Sequence, residues 1–506
     1  CANHTYLLIV SEIPKNFYLI PLCVGVSASL VSCGAKTYTI PTFDEGRQVD
    51  IIAYAPSCPA KVLTGSNVST ITEENYKNIA KAGFTHTLSL YEGFYGVGVS
   101  LEDSLKKSYQ VCNEQSLQIL DYCQKYGLKH YARDWSAYDM GIYNGYTNPL
   151  AKFRSELDSY EEYKNAYEIL FPEATNPSER QYFKHPAYAG NYLSDEVFYG
   201  DLKILGEINK IYLERMNELG VENVRPINNL LPCHAGGNSL GPGWEEYADA
   251  YYAYVGKKVN SISYDFYPFM KSKSGSNMKD LYLYNYQIAA ERCNDYGCDL
   301  EVYVQTCGDF TGMRDLSGIG DVRYQLYAGL GFGAKTFTYY QYGIGKNEET
   351  GQYGILDLNN GKLTKNYDYV KVANNEIKNF EKVVTCYDYD NIICKLGEGH
   401  EVNNLFDMLS HERGSVSSSD RVSIVSATED TALTLMKRKT DGSDAFMLLN
   451  ASDPYYKKSD SVTLKVKNAK ALLTYKLGER QILESNNGVF KFDLEPGEGT
   501  FIVPLN

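Results

Sequence analysis

Apolar residues along this chain fall into two textures. From Val49 to about Gly343, short strand-like runs alternate with stretches whose apolar residues recur every third or fourth position. The strand-like runs are VDIIAYAP from Val49, THTLSLYEG from Thr85, LKHYARDW from Leu128 and YAGNYLSDEV from Tyr188. They continue with VRPINNLLP from Val224, SISYDFYPF from Ser261, DLEVYVQTCG from Asp299 and AKTFTYYQYG from Ala334. Between them lie helical patterns. In TEENYKNIAKAG, Thr72 suits an N-cap, Glu73 and Glu74 suit the positive end of the helix dipole, and Gly83 suits the stop. NEQSLQILDYCQKYG and DLKILGEINKIYLERMNELG repeat that design, and Met278–Gly297 and Asp321–Leu330 share the helical spacing. Strands alternating with helices predict parallel pairing through right-handed crossovers. Eight such units, with no G-x-G-x-x-G after the first strand, predict an α/β chain built on a closed (β/α)8 TIM barrel rather than an open dinucleotide-binding sheet.

A last helix, LTKNYDYVKVANNEIKNFEKVV, runs to Val384, and from about Asp388 the texture changes. RVSIVSA, ALTLMKRK, AFMLLNAS, SVTLKVK, ALLTYKL, GVFKFDL and GTFIVPL read as short strands, with Asp441-Gly442 and Asn487-Gly488 as turns. Period-two alternation in Val462, Leu464 and Val466 marks one buried face. These features predict an antiparallel β-sandwich after the barrel, covering a barrel flank.

The amino-terminal stretch reads as targeting. Lys15 precedes the apolar run Phe17–Leu30, which is too short for a stable membrane span and suits a signal segment. The order Leu30-Val31-Ser32-Cys33-Gly34 resembles the bacterial lipoprotein box, which implies lipidation at Cys33. The expected organisation is therefore a signal peptide over 1–33, a tether over 34–48, the barrel over 49–386 and the sandwich over 387–506. The expected location is the outside of the cell, as a surface lipoprotein or secreted protein, with the membrane surface as a partner through the lipid anchor. The twelve cysteines include no C-x-x-C pair and no zinc-like Cys/His spacing, so neither a metal nor another cofactor is expected. Cys293 and Cys298 are close enough in sequence to pair.

Charge narrows the partners. Acidic residues number 63 against 49 basic, a net charge of −14, and a phosphate backbone would be repelled by that balance, so nucleic acid is not an expected partner. The 46 tyrosines, against 2 Trp and 19 Phe, offer flat faces with hydrogen-bonding tips that suit sugars. A drift of composition toward Tyr, Asn and Lys would produce the same count.

In a TIM barrel the strand ends share one rim, where sites are built. Reading off those ends gives Tyr91-Glu92, Arg133-Asp134, Ser194-Asp195-Glu196, Asn229, Asp265 with Tyr267, Gln305, and Tyr340-Gln341. Trp135 and Trp244, the two indoles, fall just past strand ends or in the loops there and could serve as platforms for a pyranose ring. His234 reads as a loop residue without a relay partner. The candidate carbohydrate-binding set is Glu92, Arg133, Asp134, Trp135, Asp195, Asn229, Tyr267, Gln305 and Tyr340, and the rim also carries the carboxylates of Glu196 and Asp265.

A barrel with Asp-Glu closing strand four, a Tyr-rich rim and a C-terminal sandwich resembles the clan A glycoside hydrolase superfamily. It is most similar to barrels of the β-galactosidase type and to glycosidase-like bacterial lipoproteins. The resemblance covers roughly residues 49–506 and implies an acid/base role for Glu196 in GNYLSDEV, although the family more often carries Asn-Glu there. It also implies a nucleophilic Glu at the end of strand seven, where this chain has Gln305, and an amide cannot attack an anomeric carbon. Glu301 lies four residues earlier, about 13 Å away, and is no substitute. Two strands separate Asp265 from Glu196, roughly 9 Å of backbone. That spacing predicts carboxyls ~6.5–9.5 Å apart, with Glu196 as acid and Asp265, or Asp134, activating a water for inversion. Three functions follow in order. The first is an exported glycoside hydrolase. The second is a non-catalytic surface glycan-binding protein on a glycosidase scaffold, and the third, disfavoured by only seven His residues, is a metal-dependent barrel hydrolase.

Overall fold

The structure is a computed structural model, and it describes residues 38–60, 68–91, 101–133, 165, 181–309, 311–345, 353–398, 406, 409, 419–485 and 487–505. Residues 40–506 form one compact unit. None of the described helices is long and apolar enough to cross a membrane.

The eight predicted barrel strands are all present: β1 Asp50–Tyr54, β2 His86–Leu88, β3 Lys129–Ala132, β4 Tyr188–Ser194, β5 Ile227–Asn228, β6 Ser261–Tyr264, β7 Asp299–Gln305 and β8 Ala334–Tyr340. They pair in parallel in the order β5-β4-β3-β2-β1-β8-β7-β6. The cylinder closes between the two ends of that order. Leu230, just past β5, donates its N–H to the Ser263 carbonyl at 2.9 Å and bridges Tyr264. Closure removes both sheet edges and directs every strand's carboxyl end to one rim.

The helices between strands follow their sequence signals. In α1 (Glu73–Lys81) the Thr72 hydroxyl accepts the Asn75 N–H at 3.3 Å. Helices α2 (Leu101–Tyr126), α3 (Leu202–Glu218), α4 (Trp244–Tyr251), α5 (Tyr282–Tyr296), α6 (Ile319–Gly331) and α7 (Asn366–Lys378) follow. The sequence reading passed over α4 and a two-stranded hairpin, Phe269–Ser272 with Gly275–Met278, inserted after β6. Four-residue strands carry too little periodicity to announce themselves.

The barrel interior is largely tyrosine. The Tyr54 ring sits edge-on to Tyr192 and Tyr303 with centroids 6.0 and 6.1 Å apart, and tilts against Tyr340 at 5.6 Å. Edge-to-face contacts of this kind are favourable for aromatic quadrupoles. Among the described residues, the ten largest fully buried side chains are all tyrosines. Much of the unusual Tyr content is therefore core material, not sugar-binding surface.

The second texture is a two-sheet sandwich. A six-stranded antiparallel sheet starts at Tyr387–Lys395 and runs through Thr431–Arg438, Asp444–Asn450, Gly499–Leu505, Ala471–Lys476 and Glu479–Glu484. It faces a three-stranded sheet of Val422–Ala427, Asp460–Val466 and Val489–Leu494. Leu433, Leu448, Val462, Leu464 and Phe490 meet in the core between them. The other face of the large sheet lies on α6. Gly499 allows this approach, because a Cβ there would stand 2.6 Å from the Tyr327 side chain. The sandwich thus covers a barrel flank, on the helix before β8.

Candidate active site

The loop after β4 begins the site. Glu196 adopts a left-handed backbone conformation, φ 49°, which costs a non-glycine residue about 1–2 kcal/mol. Its N–H is anchored on the Asn229 carbonyl at 2.9 Å. Asn229 in turn donates its side-chain amide to Asp195 Oδ1 at 3.1 Å. Strained backbone at a strand end is a feature of functional sites.

Glu196 does not face Asp265 across a gap. The Asp265 charge is the first cause of the upward shift at Glu196, which sets the two carboxyls beside each other rather than at the expected separation of ~6.5–9.5 Å. The backbone spacing of two strands was right in kind, and the closed barrel brings both residues to one part of the same cleft. Asp265 is buried at the end of β6, with Tyr267 and Asn229 close enough to ease its charge. Its Oδ1 receives no hydrogen bond from any N–H or hydroxyl. A proton on the neighbouring Glu196 carboxyl would satisfy it.

Electrostatics agrees with that proton. The Asp265 charge, then burial, then Asp195 push Glu196 up from 4.5 to about 9. Burial and Asp195 push Asp265 up from 3.8 to about 7, against the pull of its hydrogen bonds from Asn229 and Tyr267. Two carboxyls in contact cannot both ionise near neutral pH, so the pair holds one proton.

These groups open into a cleft of about 500 Å³ at the carboxyl ends of the strands. Tyr54, Tyr91, Tyr267, Tyr303 and Tyr340 supply its aromatic walls. Tyr267 and Tyr340 lie 4.8 Å apart, tilted by 32°. Asp195, Glu196 and Asp265 line one part of the cleft, and His234, Lys279, Asp309 and Thr311 also line it. Asp309 fastens its own loop, taking the Thr311 and Met313 N–H groups at 2.8 and 3.2 Å.

That loop is braced by the sandwich. Arg314 grips Asp321 with two hydrogen bonds of 2.8 Å and reaches Asp453 of the sandwich at 3.1 Å. Tyr456 donates its hydroxyl to the Ser276 carbonyl of the inserted hairpin at 2.7 Å.

Three expected binding residues sit elsewhere. Gln305 is fully buried and outside the cleft. Its amide oxygen accepts the Phe269 N–H at 2.9 Å, and its amide nitrogen donates to the Phe269 and Arg314 carbonyls at 3.0 and 2.8 Å. It is a staple for the hairpin, not a sugar contact, and only an amide has both the donors and the acceptor the position demands. Arg133 is also buried, donating to the Tyr54 hydroxyl at 3.5 Å with its guanidinium 5.0 Å from the Tyr192 ring. It supports the wall behind the cleft. Asn229 holds carboxylates and does not line the cleft. Asp195, Tyr267 and Tyr340 do line it. Trp244 is buried with its indole N–H on the Leu231 carbonyl at 2.8 Å, so it is core and no platform. Glu92, Asp134, Trp135 and Cys33 lie outside the described residues.

Sequence reading missed Tyr54, Tyr303, Lys279 and the place of His234. Tyr54 ends β1 and His234 follows β5, so the rim rule applied to every strand would have found both. Lys279 follows the hairpin that left no signal.

No family model matches the chain, and no curated protein matches it in sequence. Among solved structures it is similar to the β-galactosidase of the psychrophilic Marinomonas ef1, at 11% identity over 67% of this chain and a TM-score of 0.43. This chain spans only 60% of that enzyme's length. It is similar to the GH51 arabinofuranosidase from Xanthomonas axonopodis pv. citri, at 9% identity over 91% of this chain and 97% of that one, TM-score 0.42. A third likeness is to the family 5 mannosidase from Rhizomucor miehei, at 9% identity over 67% and 95%, TM-score 0.42. All three are glycoside hydrolases, and at these distances the likeness is one of architecture.

Proposed function

We propose that this chain is a glycoside hydrolase in which Glu196 donates the proton to the leaving glycosidic oxygen. The single observation that carries the reading is the placement of Glu196 beside Asp265 and Asp195 in an open, tyrosine-walled cleft, which pushes its carboxyl far above the ordinary carboxylate range. An acid that keeps its proton at neutral pH is what leaving-group protonation needs. As the C1–O bond breaks, that proton passes to the departing oxygen, and a water adds at the anomeric carbon. The water's proton goes to a second carboxylate. Asp265, in contact with the acid, sets the acid's strength and does not stand opposite it. The second carboxylate of the inverting reading therefore falls to Asp134, which follows β3 in the sequence. The residues Phe17–Leu30 and Cys33 place this activity at the cell surface in the same reading, and fatty-acid labelling lost in Cys33→Ala tests that part.

The test of the chemistry is turnover of aryl glycosides and polysaccharides by the wild type, Glu196→Gln and Asp134→Asn, with NMR of the released anomer. Full hydrolysis by Glu196→Gln ends the assignment. A second reading, glycan binding without turnover, is favoured by the structural commitment of Gln305, which leaves no carboxylate at that strand end. Saturable binding by a wild type that releases no sugar would establish it.

A further inference from the structure

Lys279 is an unusual cation for this molecule. Three well-buried cations are matched by carboxylates: Arg314 by Asp321 at 2.8 Å, Arg323 by Glu376 at 2.6 Å and Lys335 by Asp388 at 3.7 Å. Lys279 forms no ion pair with any described residue. Its Nζ meets His234 Nε2 at 3.3 Å and lies 5.3 Å from the centre of the Phe266 ring. The imidazole is itself edge-on to Phe266, centroids 4.7 Å apart. The Lys279 backbone is fixed, its N–H donating to the Pro268 carbonyl at 3.0 Å. The ammonium thus donates to the neutral imidazole beside the Phe266 ring, and both side chains reach the cleft.

The contact gives the ammonium an acceptor but no counter-charge. Partial burial lowers the Lys279 ammonium from its ordinary range, with Asp265 and Asp309 only partly offsetting it. Burial and the neighbouring ammonium bring His234 down to about 4. An anion seated there would supply the ammonium's counter-charge, make a charge-assisted hydrogen bond with it and accept from the imidazole N–H. The corner belongs to the same cleft as Glu196, so what fills it would be part of a bound glycan.

We propose that Lys279 and His234 form a subsite for a negatively charged sugar substituent, a carboxylate or a sulfate ester, so that this chain acts on an acidic glycan. The inference rests on the reading of the cleft as a glycoside site and names its substrate class. Net charge sharpens it. A chain of net charge −14 repels polyanions over most of its surface, so capture of one requires a local site.

The test is affinity electrophoresis in native gels containing one polysaccharide at a time. Homogalacturonan, alginate and hyaluronan carry carboxylates, and carrageenan and chondroitin sulfate carry sulfate esters. Galactan, xylan and a β-glucan are neutral. The expected result is retardation by at least one acidic polymer and weaker or no retardation by the neutral ones. Lys279→Gln then weakens the acidic interaction by about tenfold or more, Lys279→Arg retains it, and the thermal melt of both variants matches the wild type. The group that retards distinguishes carboxylate from sulfate. Retardation by neutral polymers alone, or an acidic interaction unchanged in Lys279→Gln, overturns the subsite while leaving the glycosidase reading standing. Retardation by none of the polymers, together with no hydrolysis of aryl glycosides, overturns both.

Discussion

The two ends of the barrel hold buried carboxylates in opposite ways. At the amino-terminal end of the strands, Glu301 of β7 is bound by Arg225, which also donates to the Tyr131 and Ser261 hydroxyls at 3.2 and 3.3 Å. Burial works against the Arg225 charge, and Glu301, Tyr131 and Asp50 more than offset it. Arg225 gets this close because Gly190 of β4 leaves room: a Cβ there would stand 1.8 Å from the Arg225 carbonyl oxygen. At the carboxyl-terminal end, Glu196, Asp265 and Asp195 crowd together, and among the described residues none of them forms an ion pair. The first arrangement neutralises charge with a cation and stabilises the fold. The second neutralises it only by retaining a proton, which is a reactive solution and a less stable one.

That contrast can be broken in four ways. The largest effect belongs to Glu196→Gln, which should reduce kcat by about 10³-fold through loss of the proton donor, with glycan affinity retained. Steady-state kinetics beside binding measurements check it. Next is Arg225→Met, which leaves Glu301 buried without its cation and should destabilise the fold by about 3–5 kcal/mol in urea titrations. A loss below about 1 kcal/mol would show that the lower network is not the brace described.

Gln305→Glu comes third. It inserts the carboxylate that the glycosidase families carry at this strand end, yet the position needs donors for two carbonyls. We expect a loss of about 1–3 kcal/mol and no gain in turnover, read by thermal melts and the aryl glycoside assay. A more active variant would show that Gln305 reaches substrate after all.

The smallest and most diagnostic change is Asp265→Asn. It removes the first cause of the raised Glu196 value, so the alkaline limb of kcat/KM, set near about 9 in the wild type, should move to lower pH. Stability should move the other way. Both carboxyls bind protons more tightly folded than unfolded, so the folded state is favoured fully below about pH 4 and loses that contribution as pH rises through about 7 and about 9. The variant, freed of that repulsion, should gain about 1 kcal/mol over the wild type at pH 8, and the gain should shrink toward pH 4. Melting curves at several pH values decide it.

The alternation of eight strand-like runs with helical stretches was enough to specify the barrel, because a parallel strand and its crossover helix write two different periods into adjacent residues. The sandwich was legible for the same reason, through the two-residue period of Val462, Leu464 and Val466. Placement on the rim was also local information: β4 ends at Ser194, so Asp195 and Glu196 had to emerge there. Which neighbours those side chains meet was decided only by closure. The register that brings Leu230 beside Ser263 also brings Asp265 into contact with Glu196, 69 residues away along the chain. Gln305 and Arg133 ended inside for an equally non-local reason, since their partners come from the inserted hairpin and from Tyr54 and Tyr192. Sequence periodicity reports which face of its own element a residue occupies. Hydrogen-bond partners and shared protons depend on distances between elements, and those exist only once the chain has closed on itself.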